Sequence, residues 1–185
     1  ASLKEKGYSF RMSMIGNGEM EMQLHDMIRE KGLEDCVEML GAMPPEEVRR
    51  HMEKADIYLF TSDFNEGWGA VLNESMNSGC AVVASHAIGS VPFLIKNGEN
   101  GLIYENGNQL DLEKQVLRLL EDGAFRKKIA ENAYETMINL WNAETAAERF
   151  LTLAEKLLKN ENTDSLFRDG PCSKAAILKN DWYQH

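Results

Sequence analysis

Two acidic residues, Glu66 and Glu74, carry the clearest chemical pattern in the chain. Seven residues separate them within residues 65–79, which read NEGWGAVLNESMNSG. The glycines at the start of this segment predict a loop, and the residues that follow predict a helix beginning near Ala70. One carboxylate would therefore lie in the loop and the other about one turn inside the helix. Carboxylates accept hydrogen bonds from hydroxyl groups, so both suit a ligand rich in hydroxyls.

The helix start between these two acids suits an anion. The first backbone N–H groups of a helix have no partner inside it, and its dipole is positive at that end, so phosphate groups bind there. A ligand with hydroxyls on both sides of a diphosphate would engage the N–H groups and both carboxylates. A nucleotide sugar has this layout of sugar, diphosphate and ribose, so we expect a nucleotide-sugar site.

Composition limits the alternatives. A chain of 185 residues that is 43% apolar is long enough for one packed domain. We assign residues 1–159 to that domain and residues 160–185, here called the tail, to a polar linker and an end segment expected to dock on it. The formal net charge of −10 excludes a nucleic-acid partner, because binding a phosphate backbone needs a basic surface.

No metal, cofactor or transmembrane segment is expected. The three cysteines are an odd number without metal-ligand spacing, and the histidines, His185 among them, show none either. Free thiols fit a reducing compartment, so we predict a cytoplasmic protein. No apolar run approaches the roughly 20 residues of a membrane span, and no signal peptide is visible at the start. Association with the cytoplasmic face of a membrane stays open.

Short β-rich runs alternate with segments of helical period, which predicts a parallel sheet covered by helices. The predicted strands are residues 9–15, 37–40, 56–61, 81–84 and 101–104. The predicted helices are residues 20–31, 46–54, 70–78, 110–121, 124–140 and 143–159. The fold class is therefore α/β, a Rossmann-like parallel sheet with helices on both faces, followed by C-terminal helices.

With these elements in place, residues 66–84 resemble the signature of retaining glycosyltransferases of family 4, which have the GT-B fold. The matching pattern is Glu-Gly-Trp-Gly from Glu66, four further residues, Glu-Ser-Met from Glu74, then Gly79 and a strand with Val-Val-Ala. The similarity covers roughly residues 3–158 and resembles only the C-terminal, donor-binding half of that fold.

The resemblance implies a role for individual residues. Glu66 would act at the catalytic centre by accepting hydrogen bonds from the donor sugar, and Glu74 would hold the ribose hydroxyls. The diphosphate, sugar and base contacts would come from the backbone of Trp68, Gly69, Ala70, Val71, Leu40 and Gly41, with the turn at Gly16 nearby. A carbohydrate or lipid acceptor would bind the other half of the enzyme, within carbohydrate biosynthesis.

The resemblance also implies that the first strand of the donor domain, with its cationic diphosphate clamp, is missing. That strand would lie between residues 9–15 and 56–61. We therefore expect these two strands to close together, to borrow a strand, or to leave a marginally stable fold. The fragment alone is expected to be inactive.

Other functions remain open. A non-catalytic nucleotide-binding or interaction domain would keep the fold and lose transfer, and a nucleotide-sugar epimerase would use the same fold for different chemistry. A dehydrogenase does not fit. The third glycine expected after Gly16 and Gly18 in a dinucleotide-binding fingerprint is replaced by Glu21.

Overall fold

The computed structural model describes residues 1–175, 177–179 and 181–184. The expectation for His185 lies outside the described residues. The chain divides into two compact units, Ala1–His51 and Met52–His185. Both are built from parallel strands and helices, which confirms the predicted α/β class.

The first unit is a two-stranded parallel sheet with short helices. Its elements are α1 (Ser2–Glu5), β1 (Met12–Ile15), α2 (Glu21–Glu30), β2 (Val37–Gly41) and the start of α3 (Pro45–Met52). β1 pairs with β2 in parallel, and the register shifts between Met14 and Ile15. Within residues 1–51, all of which are described, Leu33 is the one buried apolar residue. This unit therefore has little core of its own.

The second unit contains a three-stranded parallel sheet. Its strands are β3 (Ile57–Phe60), β4 (Ala81–Ser85) and β5 (Leu102–Tyr104), in the order β3-β4-β5. All five residues of β4 are buried, as expected for a central parallel strand covered on both faces. The apolar run Ala-Val-Val-Ala fits this position because it has no polar side to turn toward water.

Five helices accompany this sheet: α4 (Val71–Asn77), α5 (Val91–Leu94), α6 (Gln109–Glu121), α7 (Gly123–Asn139) and α8 (Ala143–Leu158). α7 packs on α4 and β4, and α6 packs on β4, β5 and α7. Leu119 of α6 and Ile129 of α7 are fully buried at these contacts. The last three helices begin at side-chain caps, Asn108, Asp122 and Asn142, each accepting a backbone N–H bond.

The predicted elements recur with shifts of a few residues at their ends. The sequence patterns missed α1, α5 and a 3-10 helix at Trp182–Gln184, which have three or four residues each. The five strands form two separate sheets in the described part of the chain, and β1 does not pair with β3. Closure of those two strands on each other, one of the three expected outcomes, is therefore not what the structure shows.

Residues 167–171 of the tail lie against other parts of the second unit, to which the tail itself belongs. The Arg149 guanidinium donates to the carbonyl oxygens of Asp169 and Pro171 and lies 4.8 Å over the Phe167 ring. Lys96 Nζ lies 3.5 Å from a carboxylate oxygen of Asp169. These contacts join the tail to α8 and to the segment after α5.

Candidate functional site

The candidate site is centred on the loop at the carboxyl end of β3, residues 61–70, here called the site loop. Ligands of parallel α/β sheets bind at the carboxyl ends of the strands, so this is the expected place. The Gly89 N–H donates to the Gly67 carbonyl at 3.1 Å, and the Ser90 N–H donates to the Trp68 carbonyl at 3.1 Å. A Cβ on Gly89 would lie 2.3 Å from the Gly67 oxygen. The close approach of the two backbones therefore requires glycine at position 89.

Gly69, one residue before the end of the site loop, has a backbone conformation that favours glycine. Its φ is +73°, in the left-handed region that favours glycine. A Cβ there would lie 2.8 Å from the Phe60 ring and 3.0 Å from Ile88. The backbone of the loop is thus packed directly on the last residue of β3.

The Trp68 side chain has a structural role. Its ring lies 5.7 Å from the Phe93 ring, nearly parallel to it, and 5.8 Å from the Trp141 ring. The indole N–H donates to Asn73 Oδ1 at 2.9 Å. The ring thus joins the site loop to α5, to α4 and to the α7–α8 turn. The ligand contact that the sequence predicts would be made by the backbone of Trp68, and these ring contacts are compatible with it.

Two backbone N–H groups are free at the start of α4. The Leu72 N–H donates to the Gly69 carbonyl at 2.9 Å, and the Glu74 N–H donates to the Ala70 carbonyl at 3.2 Å. Among the residues that the structure describes, the N–H groups of Ala70 and Val71 have no acceptor. Ala70 is exposed, so an outside anion can reach this end of the helix. α4 has seven residues, and its dipole is correspondingly small.

The two predicted carboxylates line different depressions. Glu66 is half-buried and lines a depression of about 430 Å³ together with Thr61, Ser62, Asp63 and Asn65. Glu74 is exposed and lines a cleft of about 740 Å³ between α4 and the end of α7 with the start of α8. Glu66 thus lies in the site loop and Glu74 on α4, and each of these two cavities is lined by one of the acids.

Tyr58, on β3, lies within electrostatic reach of both acids. Burial raises the pKa of its phenol to about 12, and the carboxylates of Glu74 and Glu66, with the Cys80 thiol, add to the effect. The phenol therefore stays protonated and can donate a hydrogen bond at neutral pH. No sequence pattern points to this residue, because a tyrosine in a β-rich run is typical of any strand.

The three remaining predicted residues belong to the first unit. Gly16 and Gly41 come together at the carboxyl ends of β1 and β2, where the Gly16 N–H donates to the Gly41 carbonyl at 2.9 Å. Leu40 is half-buried beside them on β2. The bond between the two glycines continues the β1–β2 pairing by one residue beyond the end of β1.

A comparison with known families assigns the chain. The family model described as "Glycosyl transferases group 1" matches residues 1–136. The chain belongs to this family. Group 1 glycosyl transferases with the GT-B fold are also its structural neighbours, so the predicted class, a glycosyltransferase with a Rossmann-like domain, is confirmed.

Relatives with known names and structures agree with this family. The chain is 32% identical over 160 residues to the amylovoran biosynthesis glycosyltransferase AmsK of Erwinia amylovora, covering 84% of this chain and 39% of AmsK. Its structure matches HepE of Anabaena in complex with UDP, with a TM-score of 0.69 and 26% identity, covering 81% of this chain and 41% of HepE. The chain spans about two fifths of the length of these relatives.

A third match concerns the fold alone. The C-terminal domain of LpcC, a group 1 glycosyl transferase from Francisella tularensis, aligns with a TM-score of 0.65 at 20% identity. The alignment covers 76% of this chain and 91% of that domain. The architecture of this chain is therefore similar to that of a C-terminal domain in the family, as the motif pattern predicted.

A polar network at the carboxyl end of β4 escaped the sequence analysis. His86 Nδ1 accepts the Asn106 N–H at 2.9 Å. The Asn106 side chain donates to the Ser62 carbonyl at 3.3 Å and to Ser85 Oγ at 3.0 Å. Burial lowers the pKa of His86, and the bond accepted at Nδ1 also favours the neutral ring. The only signal was the position of His86 directly after a buried strand.

The described residues offer no metal-binding group of three or more His, Cys, Asp or Glu side chains. Among the helices of the described chain, none is both long and apolar enough to cross a membrane.

Proposed function

We propose that this chain is the donor-binding portion of a retaining glycosyltransferase that transfers a hexose from a nucleoside-diphosphate sugar to a carbohydrate or lipid acceptor. The observation that carries the proposal is the family match together with HepE. Structures of HepE contain UDP, at 26% identity to this chain, and UDP-glucose, at 27% identity and a TM-score of 0.66.

The start of α4 is proposed to hold the diphosphate. The N–H groups of Ala70 and Val71 are free and lie at the positive end of a helix, which is the arrangement that binds phosphate oxygens. Glu74 lies one turn further along α4 and has an exposed side chain, so it can accept hydrogen bonds from the two ribose hydroxyls.

The site loop is proposed to hold the sugar. Glu66 lines the depression at the carboxyl end of β3, where its carboxylate would accept hydrogen bonds from sugar hydroxyls. The backbone of Trp68 and Gly69 would line the sugar, because packing against Phe60 and Phe93 fixes this part of the loop. The separate depressions of the two acids fit a ligand that runs across the start of α4 from one to the other.

The base is proposed to lie near Leu40 and Gly41, with the turn at Gly16 beside them, on the first unit. In transfer with retention of configuration, the departing diphosphate itself can take up the proton of the acceptor hydroxyl. No side chain then has to act as a strong general base. The contribution of the protein is then positioning and stabilisation of charge on the leaving phosphate. No metal or cofactor is expected to take part.

We propose that the whole enzyme is cytoplasmic and contains, besides this chain, the part that binds the acceptor. The chain by itself is expected to bind the donor and not to turn it over. An enzyme that transfers a sugar must position both the donor and the acceptor, so the reaction stops when the acceptor has no binding site. Binding of the donor needs only the contacts named above.

Calorimetric titration tests this proposal. The wild-type chain should bind at least one of UDP, GDP and ADP, and should bind the matching nucleotide sugar as well. Glu74→Ala should weaken nucleotide and nucleotide sugar alike by about 10- to 100-fold, the range for a lost hydrogen bond to a charged group. Glu66→Ala should weaken only the nucleotide sugar.

Glu135→Ala is the matched control, because Glu135 is an exposed glutamate on α7 outside both depressions. It should leave every affinity unchanged. Absence of binding for all three nucleotides would contradict a working donor site, and equal effects of Glu66→Ala and Glu74→Ala on both ligands would contradict the assigned roles.

A further inference from the structure

The end of the tail returns to the site loop. The Tyr183 ring stacks on the His86 ring with centroids 4.0 Å apart and planes 29° apart. The His86 ring also meets the Phe64 ring edge-on, with centroids 5.6 Å apart. His86 therefore contacts both a residue of the tail and a residue of the site loop.

His86 also joins that loop to the ends of two strands. Its Nδ1 accepts the backbone N–H of Asn106, which follows β5, at 2.9 Å. The Asn106 side chain reaches the Ser62 carbonyl at 3.3 Å, in the first part of the site loop. A chain of contacts thus runs from Tyr183 through His86 and Asn106 to the loop that carries Glu66.

We propose that Tyr183 is a positioning residue for the donor site: by stacking on His86 it clamps the site loop and so fixes Glu66 for the donor sugar. The second part of this proposal, the positioning of Glu66 for the donor sugar, rests on the proposed function. The proposal extends the site to a segment beyond residues 1–136, which the family model matches.

The geometry indicates that the tail holds the site loop and does not block the depression beside Glu66. The described residues that line the depression beside Glu66 all belong to the site loop, and none belongs to the tail. The described tail residues therefore do not line the depression, and Tyr183 is linked to the loop through His86, which stacks on Tyr183 and meets Phe64. The tail's own attachment at residues 167–171 to Arg149 keeps the aromatic end within reach.

Amide hydrogen exchange tests the clamp without any ligand. In Tyr183→Ala, the Asn106 amide and the amides of residues 61–66 should exchange about two- to tenfold faster, which corresponds to the loss of one aromatic pair. Tyr183→Phe keeps the ring and should exchange like wild type. Lys174→Ala breaks an exposed ion pair with Asp164 in the same tail and should also leave these rates unchanged. Unchanged exchange in Tyr183→Ala would overturn the clamp.

Binding of UDP-glucose and UDP tests the link to the sugar. Tyr183→Ala should weaken UDP-glucose by about two- to tenfold and leave UDP unchanged, because only the sugar reaches Glu66. Equal affinities of wild type and Tyr183→Ala for UDP-glucose would refute the positioning role. If the wild-type chain binds GDP or ADP instead of UDP, the same comparison is made with that nucleotide and its glucose derivative. Failure of the wild-type chain to bind any of the three nucleotides would instead refute the proposed function and with it the sugar half of this inference, while the exchange rates still decide the clamp.

Discussion

Replacement of Gly89 by alanine is the sharpest test of how the site loop is built. The new Cβ would lie 2.3 Å from the Gly67 oxygen and 3.2 Å from its carbonyl carbon, both backbone atoms that cannot rotate away. The loop must move by about an ångström to reach an ordinary contact. The two backbone hydrogen bonds that join residues 89 and 90 to the loop, each 3.1 Å long, would then lengthen or break.

The magnitude follows from these contacts. Overpacking of this kind costs about 1–3 kcal/mol, and each lost hydrogen bond about 1 kcal/mol. Alanine also reduces the freedom of the unfolded chain, which offsets about 0.4–1 kcal/mol. We expect Gly89→Ala to lower the free energy of unfolding by about 2–3 kcal/mol. Gly67→Ala is the matched control, since a Cβ there meets nothing within 4 Å and its φ is not in the left-handed region; it should change stability by less than about 0.5 kcal/mol.

Urea unfolding followed by circular dichroism measures both variants. The helices that dominate the signal belong to the second unit, where both glycines lie. If Gly89→Ala were no less stable than Gly67→Ala, the close backbone approach would not hold the loop, and the geometric reasoning would be wrong.

Two further predictions each concern a single side chain. Because the pKa of His86 is lowered in the folded chain, the unfolded chain binds its proton more readily, so stability should fall as the pH drops below the ordinary value of 6.5. The difference in unfolding free energy between wild type and His86→Gln, measured from pH 7.5 to 5, should shrink accordingly; a constant difference would argue against a neutral His86. Asn100→Ala should destabilise by about 2–4 kcal/mol, because Asn100 is 4% exposed and its side chain makes three hydrogen bonds, to Lys96 N, the Leu94 carbonyl and Thr136 Oγ1. Thermal or urea unfolding beside the exposed Asn162→Ala control would show the effect, and equal stability of the two variants would contradict it.

Periodicity was sufficient for the long elements. α6 and α7 show apolar residues three and four apart, and both were predicted to within a residue or so at each end. Strand β4 was evident as an apolar run. The four-residue helix Val91–Leu94 could not be found this way, because it is too short to show a period and contains Pro92. The split into two sheets was also beyond the pattern, since pairing depends on long-range contacts.

The spacing of Glu66 and Glu74 placed both acids correctly on a loop and a helix, but it carried no information on where the side chains point. Helix and loop geometry direct them into separate depressions. The contacts of His86 with Tyr183 and Phe64 join residues far apart in sequence, so no local motif could reveal them. The roles of Glu66 and Glu74 were predicted from the family resemblance, whereas the contacts that hold the site loop became visible only in the structure.

The positions of the three tryptophans give the molecule two optical reporters. Trp68 and Trp141 lie 5.8 Å apart beside the site loop, and Trp68 is 42% exposed, so their shared emission should respond when a ligand displaces water from the loop. Trp182 packs at 6.2 Å against Tyr183 at the far end of the tail. Substituting Trp182 by phenylalanine would leave the first pair as the tryptophan fluorophores, so donor binding could be followed without a label and without a contribution from the tail. The difference in emission between wild type and this variant would report the surroundings of Trp182 in the tail.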